Sequence, residues 1–390
     1  MSSKGVEGMA EVLSQRLAKA GQQGLRRSRH AYTPSGVMVE HDAAQLINFS
    51  GNDYLDLKQH PKIKQALIDG VERYGAGSGA SALVSGYCPA HQQLEQAIAA
   101  FTHRPAAIVY SSGYLANLAV TAALLGRHDT IIEDRLNHAS LLDAGRLSAA
   151  RLLRYRHADM DSLQQQLEQP GQGQRLVMTD GVFFMDGDTA KLAEIAGLCA
   201  EYNAWLMVDD AHGIGIAGPQ GRGSVLAAGL DSDQVPVLVG TFGKAFGSAG
   251  AFVAGSLELI DALQNWGRSG IYSTAMPPAQ ACATMAALDL VEQGAGLRRK
   301  LRDNIQHFRV AAGDLELPLL PSTTPIQPLM AGEPETALAW GSALRETGLL
   351  VTPIRPPTVP VGAARLRITL SAGHSHEQID QLLESLGACR

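Results

Sequence analysis

One lysine stands among glycines and phenylalanines in TFGKAFG, residues 241–247, directly after the apolar run Val235-Pro-Val-Leu-Val-Gly. That run reads as a buried strand, so Lys244 sits at a strand end in a Gly-lined turn. A lysine kept dry in such a place has a lowered pKa, and a neutral amine can form a Schiff base. A second group ends another apolar run, Trp205-Leu-Met-Val: Asp209, Asp210 and, one residue on, His212. Open α/β sheets bind their ligands at this carboxyl edge. The third group is Ser111-Ser112-Gly113-Tyr114, between a strand ending at Tyr110 and a helix that carries Asn117. Free N–H groups and hydroxyls at a helix start can hold an anion. Each group also has a plain reading by itself: a solvated loop lysine, a helix cap beside a satisfied histidine, and an ordinary βα turn.

In combination the three groups point to pyridoxal 5'-phosphate. That cofactor draws electrons only while its ring nitrogen is protonated, so an ionised acid must face the nitrogen. Its aldehyde needs an amine and its phosphate a helix N-terminus. Competing nucleotide motifs fit less well. Gly75-Ala-Gly77-Ser-Gly79-Ala80 has dinucleotide-type spacing, but a helix precedes it where a strand is needed. Gly213-x-Gly215-x-x-Gly218 follows a strand, yet runs into Pro219-Gln-Gly221-Arg-Gly223 and not into a helix, which argues against an NAD-dependent dehydrogenase. No G-x-S-x-G elbow occurs, and Lys244 lacks phosphate-loop spacing.

The elements that must hold these groups alternate. Strand-like runs occur at 106–110, 130–133, 151–155, 175–179, 205–209, 235–239 and 249–254, with helical segments between most of them. This predicts an α/β domain with a mostly parallel sheet. Before it lie a helical pattern at 12–20, a short strand at 44–50 and a helix opened by Pro61 that runs to Tyr74. After about residue 275 come helices at 277–293 and 295–312, a proline-rich region, and strands at 326–330, 349–354 and 365–370. Helices at 335–347 and from His376 onward complete a smaller α+β unit. The expected division is residues 1–50, an N-terminal helix and segment; 51–275, a large cofactor-binding α/β domain; and 276–390, the smaller C-terminal domain.

Composition narrows the partners. The chain has 390 residues, 45% of them hydrophobic, with a formal net charge of −6. No basic field favours nucleic acid or an anionic membrane surface. No run approaches the ~18 apolar residues of a membrane span. Four scattered cysteines, Cys88, Cys199, Cys282 and Cys389, form no C-x-x-C and suit reduced thiols. The expectation is a cytoplasmic protein with no bound metal.

The stretches GSGASALVSGY, SSGYLANLAV, DRLNHASLLDA, TDGVFFMDGD, MVDDAHGIGIAGPQGRG, TFGKAFG, IYSTAMPPAQ and IRPPTVPVGAARLRITL resemble the α-oxoamine synthases. These are pyridoxal-phosphate enzymes of the aspartate-aminotransferase-like fold, fold type I. The similarity runs from about Arg26 to the C-terminus. Within the family, IRPPTVP and NHASLLDAGRLS resemble the members that make a biotin precursor from L-alanine and a pimeloyl thioester, carried on acyl carrier protein or coenzyme A. The implied reaction is a decarboxylating Claisen condensation in a homodimer. The alternative within the family is a glycine-using member such as 2-amino-3-ketobutyrate ligase or 5-aminolevulinate synthase. Outside it stands a non-catalytic thioester-binding protein, which would lack a cofactor band.

By motif, the resemblance implies that Lys244 binds the cofactor and moves the α-proton. Asp209 pairs with the pyridinium nitrogen, and His212 bonds the phenolic oxygen. His138 stacks on the ring and serves as donor to the thioester carbonyl. Gly113 and Tyr114 hold the cofactor, Thr241 lies on its phosphate, and Ser273 and Thr274 reach that phosphate from the neighbouring subunit. Arg26, Asn52, Arg355 and Thr358 are implied substrate-side positions, with Arg355 gripping the amino-acid carboxylate; Arg26 is equally what a surface arginine would be. One departure stands out: Phe184 occupies the place of a serine in the family's G-V-F-S-M-D-G, so the phenolic oxygen loses one donor.

Overall fold

The computed structural model describes residues 8–22 and 25–389. Its centre is a seven-stranded sheet in the order Ala106–Tyr110, Ala251–Gly255, Val237–Thr241, Trp205–Asp209, Arg175–Asp180, Thr130–Asp134, Arg151–Tyr155. All neighbouring pairs are parallel except those of Ala251–Gly255, which runs antiparallel to both its neighbours. The expected α/β fold of the aminotransferase type is therefore observed.

The central strands are mostly apolar because both sheet faces are covered, while charged residues fall at strand ends and on the edge strand Arg151–Tyr155. Alternate residues serve different cores. Ile132, Val177, Leu206, Val208, Leu238 and Phe252 enter one buried cluster. Ile131, Leu176, Met178, Met207, Val237 and Val253 enter the other. This period of two is the pleat itself. It fixes the register, and the register aligns the chemistry: Asp180 pairs with Asp209, and Thr241 with Ala251, at one edge of the sheet.

The Pro61–Tyr74 helix begins at its proline, as expected, with His60 as N-cap. The C-terminal helices are Pro278–Gln293 and Ala295–Asp314. A three-stranded antiparallel sheet orders Ile326–Gly332, Ala364–Thr369 and Thr352–Ile354. One expectation fails here. The run 349–354 is not one strand: Leu349–Leu350 pairs in parallel with Ala44–Asn48, while Thr352–Ile354 joins the three-stranded sheet. The chain changes sheets at Val351, so an unbroken apolar pattern hides a corner. Among the described residues, no helix is long and apolar enough to cross a membrane.

A short loop, residues 181–189, bonds both to the central-sheet region and, through Gly187 O, to Ser322 and Thr324. Asp188 accepts from His157 Nε2 at 2.9 Å, and Asp134 is bonded to His157 Nδ1 at 3.0 Å. Burial pulls the His157 pKa down, but the two carboxylates outweigh it and push the imidazole up to about 9. A folded-state pKa raised above the unfolded value stabilises fully below the unfolded pKa, near 6.5, and is lost as pH rises through about 9. Thermal unfolding of the protein is thus expected to show a fall in midpoint between these limits, and His157→Gln should flatten that part of the profile. An unchanged slope in His157→Gln would show that the clamp does not titrate there.

Candidate active site

The lysine's position follows from its neighbours. Phe242, Ala245 and Phe246 are buried, and Phe242 packs edge-on to Phe246 and tilted against Phe252, with centroids 5.6 and 5.5 Å away. These side chains pin the turn to the core. Gly247 has φ +61°, and a Cβ there would lie 2.3 Å from the Lys58 nitrogen, so only glycine lets the turn dock. Lys244 is left to project from a fixed frame toward the strand ends.

Its Nζ lies 2.9 Å from His212 Nε2, and His212 Nδ1 lies 2.6 Å from the Tyr54 hydroxyl. Tyr54 in turn donates to Asn52 Oδ1 at 3.3 Å, which also accepts from Arg367 Nη2 at 3.2 Å. One proton assignment satisfies every group: Lys244 donates to Nε2, and the neutral ring donates from Nδ1 to Tyr54. Burial drives the His212 pKa well below its usual value, and the Lys244 and Arg367 charges add to this. Burial likewise lowers Lys244 to about 8, against the opposing pull of Asp209 and Asp180. The amine is therefore poised close to neutrality.

Asp209 anchors a second network. Its Oδ2 accepts from Asn117 Nδ2 at 2.7 Å and its Oδ1 from the Ala211 N–H at 3.1 Å. Asn117 Nδ2 also reaches Ser140 Oγ at 2.8 Å, and Ser140 Oγ lies 2.7 Å from His138 Nδ1. The Ser140 backbone N–H points at the same Nδ1, at 3.3 Å. Nδ1 is thus the acceptor, and the neutral ring carries its proton on Nε2. Burial lowers the His138 pKa, which keeps the imidazole neutral. Asn137 fixes the turn by donating to the Met178 carbonyl at 2.9 Å, and His138 N donates to Asp180 at 2.7 Å. Burial, then the nearby Asp209, holds Asp180 well above the usual carboxylate range.

The residues fit pyridoxal phosphate on their own geometry. A carboxylate oriented by an amide, a buried amine of lowered pKa and a helix N-terminus share one sheet edge. The Gly113–Leu124 helix starts after Ser112, whose hydroxyl accepts from Leu115 N at 3.3 Å, and the space beside Gly113 is open. Among the described residues, Asn117 Oδ1 is buried without a hydrogen-bond partner. Thr241 uses its hydroxyl on the Gly250 carbonyl at 2.9 Å. Tyr114 is exposed and donates to Asp143.

The implied substrate positions fall in two places. Asn52 belongs to the inner network just described. Arg355 and Thr358 line an outer cleft with Leu25, Arg27 and Ile354, and the exposed Arg26 lies between the two N-terminal lining residues. Ser273 and Thr274 line a different pocket, together with Ser111, Tyr110 and Leu83.

Sequence reasoning missed Tyr54, Asn117, Ser140 and Arg367 as site members. Arg367 was the most legible of these, since it lies in the quoted RLRITL stretch. It is part-buried, gives Nε to the Phe184 carbonyl at 2.7 Å, and its charge bears on Lys244, His212 and Tyr54.

The family model for class I and II aminotransferases matches residues 44–386. The chain is 54% identical over 379 residues to 8-amino-7-oxononanoate synthase of Thioalkalivibrio sulfidiphilus, covering 96% of this chain and 95% of that one. It is similar to the crystal structure of 8-amino-7-oxononanoate synthase from Francisella tularensis, with a TM-score of 0.78 and 32% identity over 88% of this chain and 97% of that one. It also resembles serine palmitoyltransferase from S. paucimobilis with a bound PLP–myriocin aldimine, with a TM-score of 0.91 and 28% identity over 97% and 96% of the two chains.

Proposed function

The chain belongs to the class I and II aminotransferase family, and from that premise we propose that it is a pyridoxal-phosphate-dependent acyltransferase of biotin biosynthesis. It condenses L-alanine with a pimeloyl thioester, giving 8-amino-7-oxononanoate, carbon dioxide and the free thiol carrier. The single observation that carries the pyridoxal-phosphate chemistry is the Lys244 amine, lowered to about 8 and held 2.9 Å from His212, on the sheet edge that presents Asp209; the choice of substrates rests on the similarity to 8-amino-7-oxononanoate synthases.

When bound, the cofactor supplies an electron sink for the amino acid's α-carbon. The chain's residues do the rest. Asp209, aimed by Asn117, would face the ring nitrogen. Lys244 takes the proton from alanine Cα and returns one after carbon dioxide leaves, a task suited to an amine poised near the working pH. With the cofactor bound, His212 would carry its proton on Nε2 and donate it to the phenolic oxygen, while Nδ1 accepts from the Tyr54 hydroxyl 2.6 Å away. His138 presents Nε2–H to the acyl carbonyl oxygen, where negative charge gathers as the new carbon–carbon bond forms. The N–H groups at Gly113 and Tyr114 would take the phosphate, with Thr241 beside it if its hydroxyl turns from the Gly250 carbonyl.

Arg367 is the better candidate than Arg355 for the alanine carboxylate. Its fork is held by Phe184 O and Asn52, and its charge reaches the lysine. Arg355, Thr358 and Arg26 then serve the acyl thioester at the outer cleft, where coenzyme A or acyl carrier protein delivers it. Arg367→Met should raise KM for alanine roughly 100-fold, because truncating one partner of a buried charge pair costs about 2–5 kcal/mol. KM for the thioester should move little. Steady-state kinetics would reverse the assignment if Arg355→Met raised alanine KM and Arg367→Met did not.

The working unit is a homodimer. Ser273 and Thr274 sit apart from Lys244 in a pocket bordered by exposed apolar side chains, Leu83, Tyr87 and Tyr272 among their near neighbours. A partner subunit's phosphate site is the natural counterpart of these hydroxyls, across an interface of roughly 2,000 Å² or more. Sedimentation at assay concentration should give a dimer; an active monomer would refute this. The free cysteines suit the reducing cytoplasm, which cell fractionation would test.

A further inference from the structure

Residues 181–189 react with nothing, yet Phe184 at their centre touches two groups that face substrate. Its ring stands edge-on to His138, with centroids 5.2 Å apart and planes at 86°. Its main-chain carbonyl accepts from Arg367 Nε at 2.7 Å. The loop around it is fastened on both sides. Phe183 packs edge-on against His157 with centroids 4.4 Å apart, and Asp188 bonds the same imidazole. Asp186 pairs with Arg365. The Gly187 carbonyl accepts from Ser322 Oγ at 2.9 Å and Thr324 Oγ1 at 3.0 Å. A side chain on so firm a support can serve as a stop for a mobile neighbour.

His138 needs such a stop. Among the described residues its ring is bonded only through Nδ1, to Ser140. That bond holds one corner of the ring, so its tilt is bounded by what touches its faces and edges, the cofactor it would stack on and the Phe184 ring, and tilt decides where Nε2–H points. An aromatic edge contact restrains the tilt without offering a hydrogen bond that would occupy Nε2. We propose that Phe184 is a positioning residue for the condensation: its ring sets the tilt of His138 while its carbonyl sets the Arg367 fork, so that both substrate-facing groups take their places from one residue. The inference rests on the reading above, in which His138 meets the acyl carbonyl and Arg367 the alanine carboxylate.

The two roles separate experimentally, because every substitution at 184 keeps the carbonyl. In the holoenzyme, Phe184→Ala is expected to lower kcat roughly tenfold or more, since small misplacements of a catalytic group have large effects. The alanine dissociation constant, measured by calorimetry without acyl donor, should stay within about twofold, as expected for a group that acts only on the later step. Phe184→Leu should fall between, and Phe184→Tyr should restore most of kcat. If Phe184→Ala keeps wild-type kcat while His138→Ala loses it, the positioning role is overturned and the assignment of His138 stands. If His138→Ala itself keeps wild-type kcat, the reading beneath fails and the inference with it. A Phe184→Leu protein that is folded but binds alanine tenfold more weakly would also overturn the separation, because the carbonyl would then depend on the ring.

Discussion

Lys244→Ala will fold, and it will neither turn over nor show the visible band of lysine-bound cofactor. The turn is held by Phe242, Ala245 and Phe246 in the core and by Gly247 against Leu57 and Lys58. None of these contacts uses the lysine side chain, so truncation should leave the frame intact. On the proposed mechanism two functions vanish with the amine: the attachment point of the cofactor and the group that moves the Cα proton. Loss of a positioned acid–base group alone removes roughly 10²–10⁴-fold in rate, and loss of attachment adds to it. The spectrum and the rate are measured on the same sample. Full turnover without the band would place the chemistry on another residue.

Asp209→Asn is expected to have the next largest effect. The asparagine can keep the shape of the carboxylate, but it has no charge with which to hold a proton on the ring nitrogen. One of its amide positions would also present N–H where Asn117 Nδ2 or the Ala211 N–H now donates. The predicted loss in kcat is about 10²–10⁴-fold, the range for removing a group that stabilises developing charge. Stability should change far less. Asp209 also raises the pKa of Asp180, so the substitution relieves one like-charge contact in the core. A variant that keeps more than about a tenth of kcat would remove Asp209 from the mechanism, on the scale set by that loss.

Much of this was legible in the residues. The seven strands were readable because a sheet covered on both faces has mostly apolar strands, and turn residues punctuate the runs. Strand ends could not be read as well: Val235 and Pro236 precede the strand, which is Val237–Thr241. Lys244, Asp209 and His212 were legible because each follows a strand, where the fold collects ligands. Arg367 was not, since it lies mid-strand among alternating residues, and nothing in the period of two says which face meets the site. The 349–354 run read as one strand because composition cannot record a change of sheet at Val351. Phe184 was legible as a departure, a lost hydroxyl, but its contact with His138 depends on a loop fastened by residues from three distant segments. Tyr54, Asn117 and Ser140 escaped for a similar reason, since their roles exist only as links between other groups.

The central claim concerns which two substrates the site joins. A pocket built around one methyl group discriminates weakly, by roughly 1–3 kcal/mol, so some reaction with glycine is expected. The direct measurement is mass spectrometry of the products from alanine and from glycine, each offered with pimeloyl and with acetyl thioesters, with specificity constants for the four pairs. Alanine with the pimeloyl thioester is expected to have the highest constant and to yield 8-amino-7-oxononanoate. The highest constant for glycine with the acetyl thioester would contradict it and make the protein a 2-amino-3-ketobutyrate ligase.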